Sequence, residues 1–90
     1  MPVSFATQIR PMFRSVDINC MSGFDVLLDD HRYMSDPAGS ADYPDHANAR
    51  RVLCYLSPGG CEPRMPMHGP YWSDAQLALY RQWMDDGYLP

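Results

Sequence analysis

RMPMHGPYWSDAQLALYRQWMDDG, residues Arg64 to Gly87, is a Met-Pro loop followed by an amphipathic helix with clear start and stop signals. Ser73 is a good N-cap, and Gln76 three residues on completes an S-x-x-Q capping box. Trp72 precedes the cap and Leu77 stands at the fourth helical position, the spacing of a hydrophobic staple. Leu77, Tyr80 and Met84, with Trp83 one position round, fall on one side at helical spacing. Gly87 supplies the left-handed residue that ends such a helix.

Working back from this helix, two more apolar stripes emerge. Ser4 stands where a cap would, and Phe5, Ile9, Met12 and Phe13 follow at i, i+4, i+7 and i+8. Pro11 lies inside that stripe and should kink the helix or split it into two short pieces. Asp45, after Pro44, is positioned to cap a helix whose buried side is Ala49, Val52, Leu53 and Leu56, with Arg50 and Arg51 facing water. Ser57-Pro58-Gly59-Gly60 ends it. Asp17 to Met21 reads as a short turn broken by Ser22-Gly23, and Phe24 to Leu28 is an apolar run too short to classify. Asp29 to Pro44 reads as one long loop. The fold expected is all-α: a single domain over residues 1–90, a bundle of three to four short helices with long loops.

Bulk properties narrow the function. Ninety residues hold one small core, and 46% hydrophobic content is that of a globular chain. The net charge is −4, every basic residue is arginine, and no basic run exists, so nucleic acid binding is disfavoured. No apolar run approaches a membrane span, and the first residues lack a basic start followed by an apolar stretch. We therefore expect a cytoplasmic protein with no membrane partner, whose Cys20, Cys54 and Cys61 are thiols. A Cys54–Cys61 disulfide would close a short loop, but the cytoplasm argues against it.

The order of features resembles small bacterial c-type cytochromes. A first helix with a mid-helix proline leads to a Cys-containing turn, and a Met-Pro segment precedes a final helix bearing aromatic residues. In that family the methionine is an axial haem ligand, and the N- and C-terminal helices pack across each other. The family's C-x-x-C-H attachment motif is absent. The corresponding turn reads Cys20-Met21-Ser22-Gly23-Phe24, with Gly23 in place of the second cysteine and Phe24 in place of the histidine. The resemblance thus implies a haem-less, cytochrome c-like domain. Phe5 to Ile18 and Leu79 to Gly87 are also similar to a bacterial group of small accessory domains of redox enzymes. Without haem, side chains such as Met12, Met21, Met34, Met65, Met67, Tyr55, Trp72, Tyr80 and Trp83 must fill its space, or a cleft survives.

Two site readings follow. In the first, the chain is a non-catalytic accessory or interaction subunit of a redox or metalloenzyme, with no cofactor of its own. Its partner is a larger enzyme subunit or a second copy of itself. The contact residues are Met65, Met67, Tyr71, Trp72, Tyr33 and Tyr43, because Tyr, Trp and Met are enriched at interfaces. In the second, Cys61, Met65, Met67 and His68 form a C-x-x-x-M-x-M-H loop whose thiolate, thioethers and imidazole suit copper(I). Asp29, Asp30, His31, Asp36, Asp42, Asp45 and His46 read as a solvated acidic loop with helix caps rather than a metal site.

Overall fold

The computed structural model describes residues 2–62, 64–66 and 70–90. They form an N-terminal turn and four α-helices, α1 (Ser15–Ser22), α2 (His31–Met34), α3 (Ala47–Leu56) and α4 (Asp74–Asp85), with no strand among the described residues. The protein is all-α, as its apolar periodicities predict.

The capping box of α4 is present in full. Ser73 Oγ accepts the Gln76 backbone N–H at 3.2 Å, and Gln76 Oε1 accepts the Ser73 N–H at 2.8 Å. The far end closes as a Schellman motif. Gly87, at φ 101°, donates to the Met84 carbonyl, and the Tyr88 N–H reaches back to the Trp83 carbonyl. The Tyr88 ring then lies 5.2 Å from that of Trp83, the apolar contact that accompanies this motif.

Leu77, Tyr80 and Trp83 form the buried face of α4. Trp83 is fully buried, 5.5 Å from Phe5 and 5.4 Å from Tyr80 between ring centroids. Tyr80 continues the row to Trp72, and Trp72 to Phe13, so both ends of the chain meet on one aromatic spine. Removing a buried ring of this kind costs about 3–5 kcal/mol. That is a large share of the roughly 5–15 kcal/mol that holds a typical domain together. The buried Tyr80 hydroxyl donates to the Ala49 carbonyl at 2.8 Å, tying α4 to α3. Ala49, Val52 and Leu56 are buried and Leu53 is half-buried, matching the expected stripe of α3.

Pro11 does split the first segment. Phe5–Ile9 is a widened π-type turn and Arg10–Met12 a tight 3-10 turn. A regular α-helix would press the proline ring on the carbonyl four residues back. Phe5, Ile9 and Phe13 are buried all the same.

Four local expectations need correcting. Ser4 does not cap with its side chain: its Oγ donates to the Pro90 carbonyl, and its N–H is taken by Gln8 Oε1. The Asp17 turn is instead an eight-residue helix, α1, in which Asp17 is the third residue and accepts the Arg14 N–H. The 29–44 loop contains α2, because Asp30 accepts the backbone N–H groups of Arg32 and Tyr33. Asp45 lies one place before the N-cap of α3; His46 holds that place, in the left-handed region at φ 45°.

Replacing Ser73 with Ala should lower the unfolding free energy by about 1 kcal/mol. Urea denaturation checks this, and an unchanged midpoint would show that the cap contributes nothing.

Candidate functional site

An apolar cleft opens between α1, α3 and the Met-Pro loop. It holds about 50 Å³ of space for the centres of water-sized molecules. Met21 of α1 and Met65 of the loop line it, with Phe13 and Trp72 among its walls and Tyr33 and Arg51 contributing polar groups. Of the side chains expected to fill a haem-less core, Met34, Trp72, Tyr80 and Trp83 are buried, whereas Met21, Tyr55 and Met65 line this open space.

The loop wall is built in steps. Ser57-Pro58-Gly59-Gly60 turns the chain back, so that the Cys61 N–H reaches the Cys54 carbonyl and the Met65 N–H the Tyr55 carbonyl. Gly60 is required at its place, since a Cβ there would collide with the Cys54 carbonyl. Cys54 and Cys61 are joined by a disulfide. This overturns the expectation of three thiols; Cys20 is the free one, and it is exposed. The sequence separation of seven lets the turn lay Cys61 beside the last turn of α3. Met65-Pro66 is a cis peptide.

The helix wall is held more lightly. None of the residues of α1 is buried; Ile18 and Met21 lean half-buried on the core. Asp17, on the lip, is bound by Arg14 through two contacts of 2.9 Å. That hydrogen-bonded guanidinium holds the Asp17 carboxyl below the usual carboxylate range, with burial opposing it. Burial raises the Tyr33 phenol; Arg51 acts against that rise, and Asp25 adds to it. Asn48 Nδ2 donates to the Tyr33 carbonyl and fixes this part of the chain to α3.

The predicted contact residues scatter. Met65, Tyr33 and Trp72 do share the cleft. Trp72, however, is only 6% exposed and packs on Phe13, so it is a core residue rather than a contact surface. Tyr43 is half-buried with its hydroxyl 3.9 Å from Cys61 Sγ. Tyr71 is 49% exposed, with the Arg64 guanidinium 4.1 Å above its ring. Met67 and His68 lie outside the described residues. The copper(I) set loses its thiolate, because Cys61 is bonded to Cys54. Among the described residues no three His, Cys, Asp or Glu side chains gather into a metal-binding group. The acidic residues act locally instead: Asp36 accepts the Ala38 N–H, and Asp45 binds Arg50 and His46.

Sequence reading missed the exposed apolar surface of α1 and the turn after it. Phe24 is 73% exposed, Val16 62% and Leu27 38%. The signal available was an aromatic residue in a run without helical or strand period. The chain matches no family model, no curated protein and no solved structure.

Alkylation of the unfolded, unreduced protein should add one label, on Cys20, and full reduction should raise this to three. Three labels without reductant, read by intact mass, would contradict the disulfide.

Proposed function

We propose that this chain is a non-catalytic accessory or interaction subunit that docks on a larger enzyme, of redox or metal-dependent type. The observation that carries the reading is the apolar surface between Val16 and Leu27. A small domain stabilised by a thin core leaves Val16, Phe24 and Leu27 in solvent while their neighbours Ile18, Met21 and Leu28 turn inward. Apolar surface gathered in one stretch of chain is what a partner covers. Tyr71, exposed and stacked under Arg64, adds a second pair of the kind enriched at interface centres.

The redox part of the proposal, and the haem-less cytochrome c-like arrangement, rest on the resemblance. Two features support it: the N-terminal turn packs on the final helix through Phe5 and Trp83, and Met65 lines a cleft whose other wall is the helix carrying Cys20. We place the chain in an oxidising compartment rather than in the cytoplasm, because a disulfide such as Cys54–Cys61 persists there.

Native mass spectrometry on protein gently purified from its own source should show a stoichiometric complex with a larger chain. The Val16→Asp, Phe24→Asp double variant should lose that complex while keeping its helical circular dichroism. A bare monomer, or a complex indifferent to the two substitutions, contradicts the proposal.

A further inference from the structure

The Cys54–Cys61 disulfide ties the loop wall of the cleft to α3. Both residues are half-buried, outside the fully buried core, so the bond lies within reach of a thiol in solution. Two backbone bonds flank it. The Cys61 N–H donates to the Cys54 carbonyl at 2.9 Å, and the Met65 N–H to the Tyr55 carbonyl at 2.8 Å. Both carbonyls belong to the last turn of α3, where the helix has no N–H of its own to offer them. Met65 and Pro66, which line the cleft, stand at the end of this anchorage.

The two sulfurs are not equivalent. Cys54 stands in the last turn of α3, and the negative end of a helix disfavours a thiolate. Cys61 lies beyond the helix, with the Tyr43 hydroxyl 3.9 Å from its Sγ. A disulfide sulfur carries no proton, so the hydroxyl is the donor in that contact. Tyr43 is held by its own loop: its N–H donates to Ser40 Oγ at 3.2 Å, and its carbonyl accepts the Ser40 N–H at 2.6 Å. A hydroxyl donor beside a sulfur that becomes a thiolate makes that sulfur the better leaving group.

We propose that Cys54–Cys61 is a thiol–disulfide exchange site for a dithiol partner, and that its reduction loosens the loop wall of the cleft. A thiolate of the partner attacks Cys54 Sγ. The partner–Cys54 bond forms, the Cys54–Cys61 bond breaks, and Cys61 leaves as a thiolate beside Tyr43. The partner's second thiolate then attacks the partner sulfur of the mixed disulfide and expels Cys54. Two electrons and two protons pass to this chain, and the partner ends as a disulfide. A dithiol of the Cys-x-x-Cys kind has this chemistry. Cys61 and Met65 then keep hydrogen bonds, but no covalent bond, to α3.

Dithiothreitol is the probe, used on the Cys20→Ser variant so that only this pair is counted. It should reduce the folded protein at a rate unchanged by urea below the unfolding transition, giving two alkyl labels by intact mass with the helical circular dichroism retained. The Met65 amide should then exchange about thirty-fold faster, the scale of stabilisation from closing a short loop, while Leu77 to Met84 stay protected. Tyr43→Phe should slow the reduction about three-fold, because a hydrogen bond to a charged group is worth about ten-fold and roughly half of that charge has developed at the transition state. In the oxidised protein the same substitution should leave Met65 exchange unchanged, which separates the hydroxyl's part in exchange from any loss of packing. The proposal is overturned if reduction occurs only as the protein unfolds, if Met65 protection survives reduction, or if Tyr43→Phe is reduced as fast as its parent.

Discussion

Trp83 is the contact on which the rest of the structure depends. Its ring is fully buried against Phe5 and Tyr80, and its indole N–H donates to the Leu89 carbonyl at 2.8 Å. A buried indole needs such a partner, and the Leu89 carbonyl, just after α4, supplies it. The tail is then held from several sides at once. The Phe5 N–H also donates to Leu89, Ser4 Oγ to Pro90, and His31 Nε2 to the Tyr88 carbonyl at 2.7 Å. His46 stacks on Tyr88 with centroids 3.8 Å apart. One tryptophan thus joins the first segment, α2, the start of α3 and the last three residues.

That arrangement makes stability uneven. The spine lies along α4, the N-terminal turn and the inner face of α3. At the far end of the spine, beyond Trp72 and Phe13, the packing opens into the cleft. There one wall is a disulfide-held turn and the other a helix with no buried residue. Local stability varies across a fold and is lowest where buried apolar contacts are fewest. The exposed side chains Val16, Phe24 and Leu27 belong to α1 and the turn after it, the same stretch that gives the cleft Asp17, Met21 and Val26.

Much of the fold was legible because it is written in local rules. The Ser73–Gln76 box, the Gly87 stop and the stripes of α3 and α4 need only short-range spacing, and each appears as expected. What local rules cannot show is competition. Ser4 had the chemistry of a cap, but the chain terminus claimed its hydroxyl across 86 residues. His46 takes the N-cap place of α3, where the carbonyls of Pro37 and Ala38, from the loop leading into the helix, meet the N–H groups of His46 and Ala47. The α2 turn is too short to leave an apolar period and shows only through its Asp30 cap.

The site was legible in part. Met65, Tyr33 and Met21 were named from residue type and do meet at the cleft. Trp72 was read both as a core filler and as a contact residue, and the spine took it inward, which keeps the first reading and ends the second. Arg51 was read as a water-facing residue, and only the fold shows that the same face borders the cleft.

The most direct test of an uneven, spine-centred domain is amide hydrogen exchange resolved by residue. The slowest amides should be those of Leu77 to Met84 and Val52 to Leu56, with the amides of Asn19 to Ser22 in α1 exchanging much faster. Equal protection in α1 and α4, or greatest protection in α1, would contradict the account.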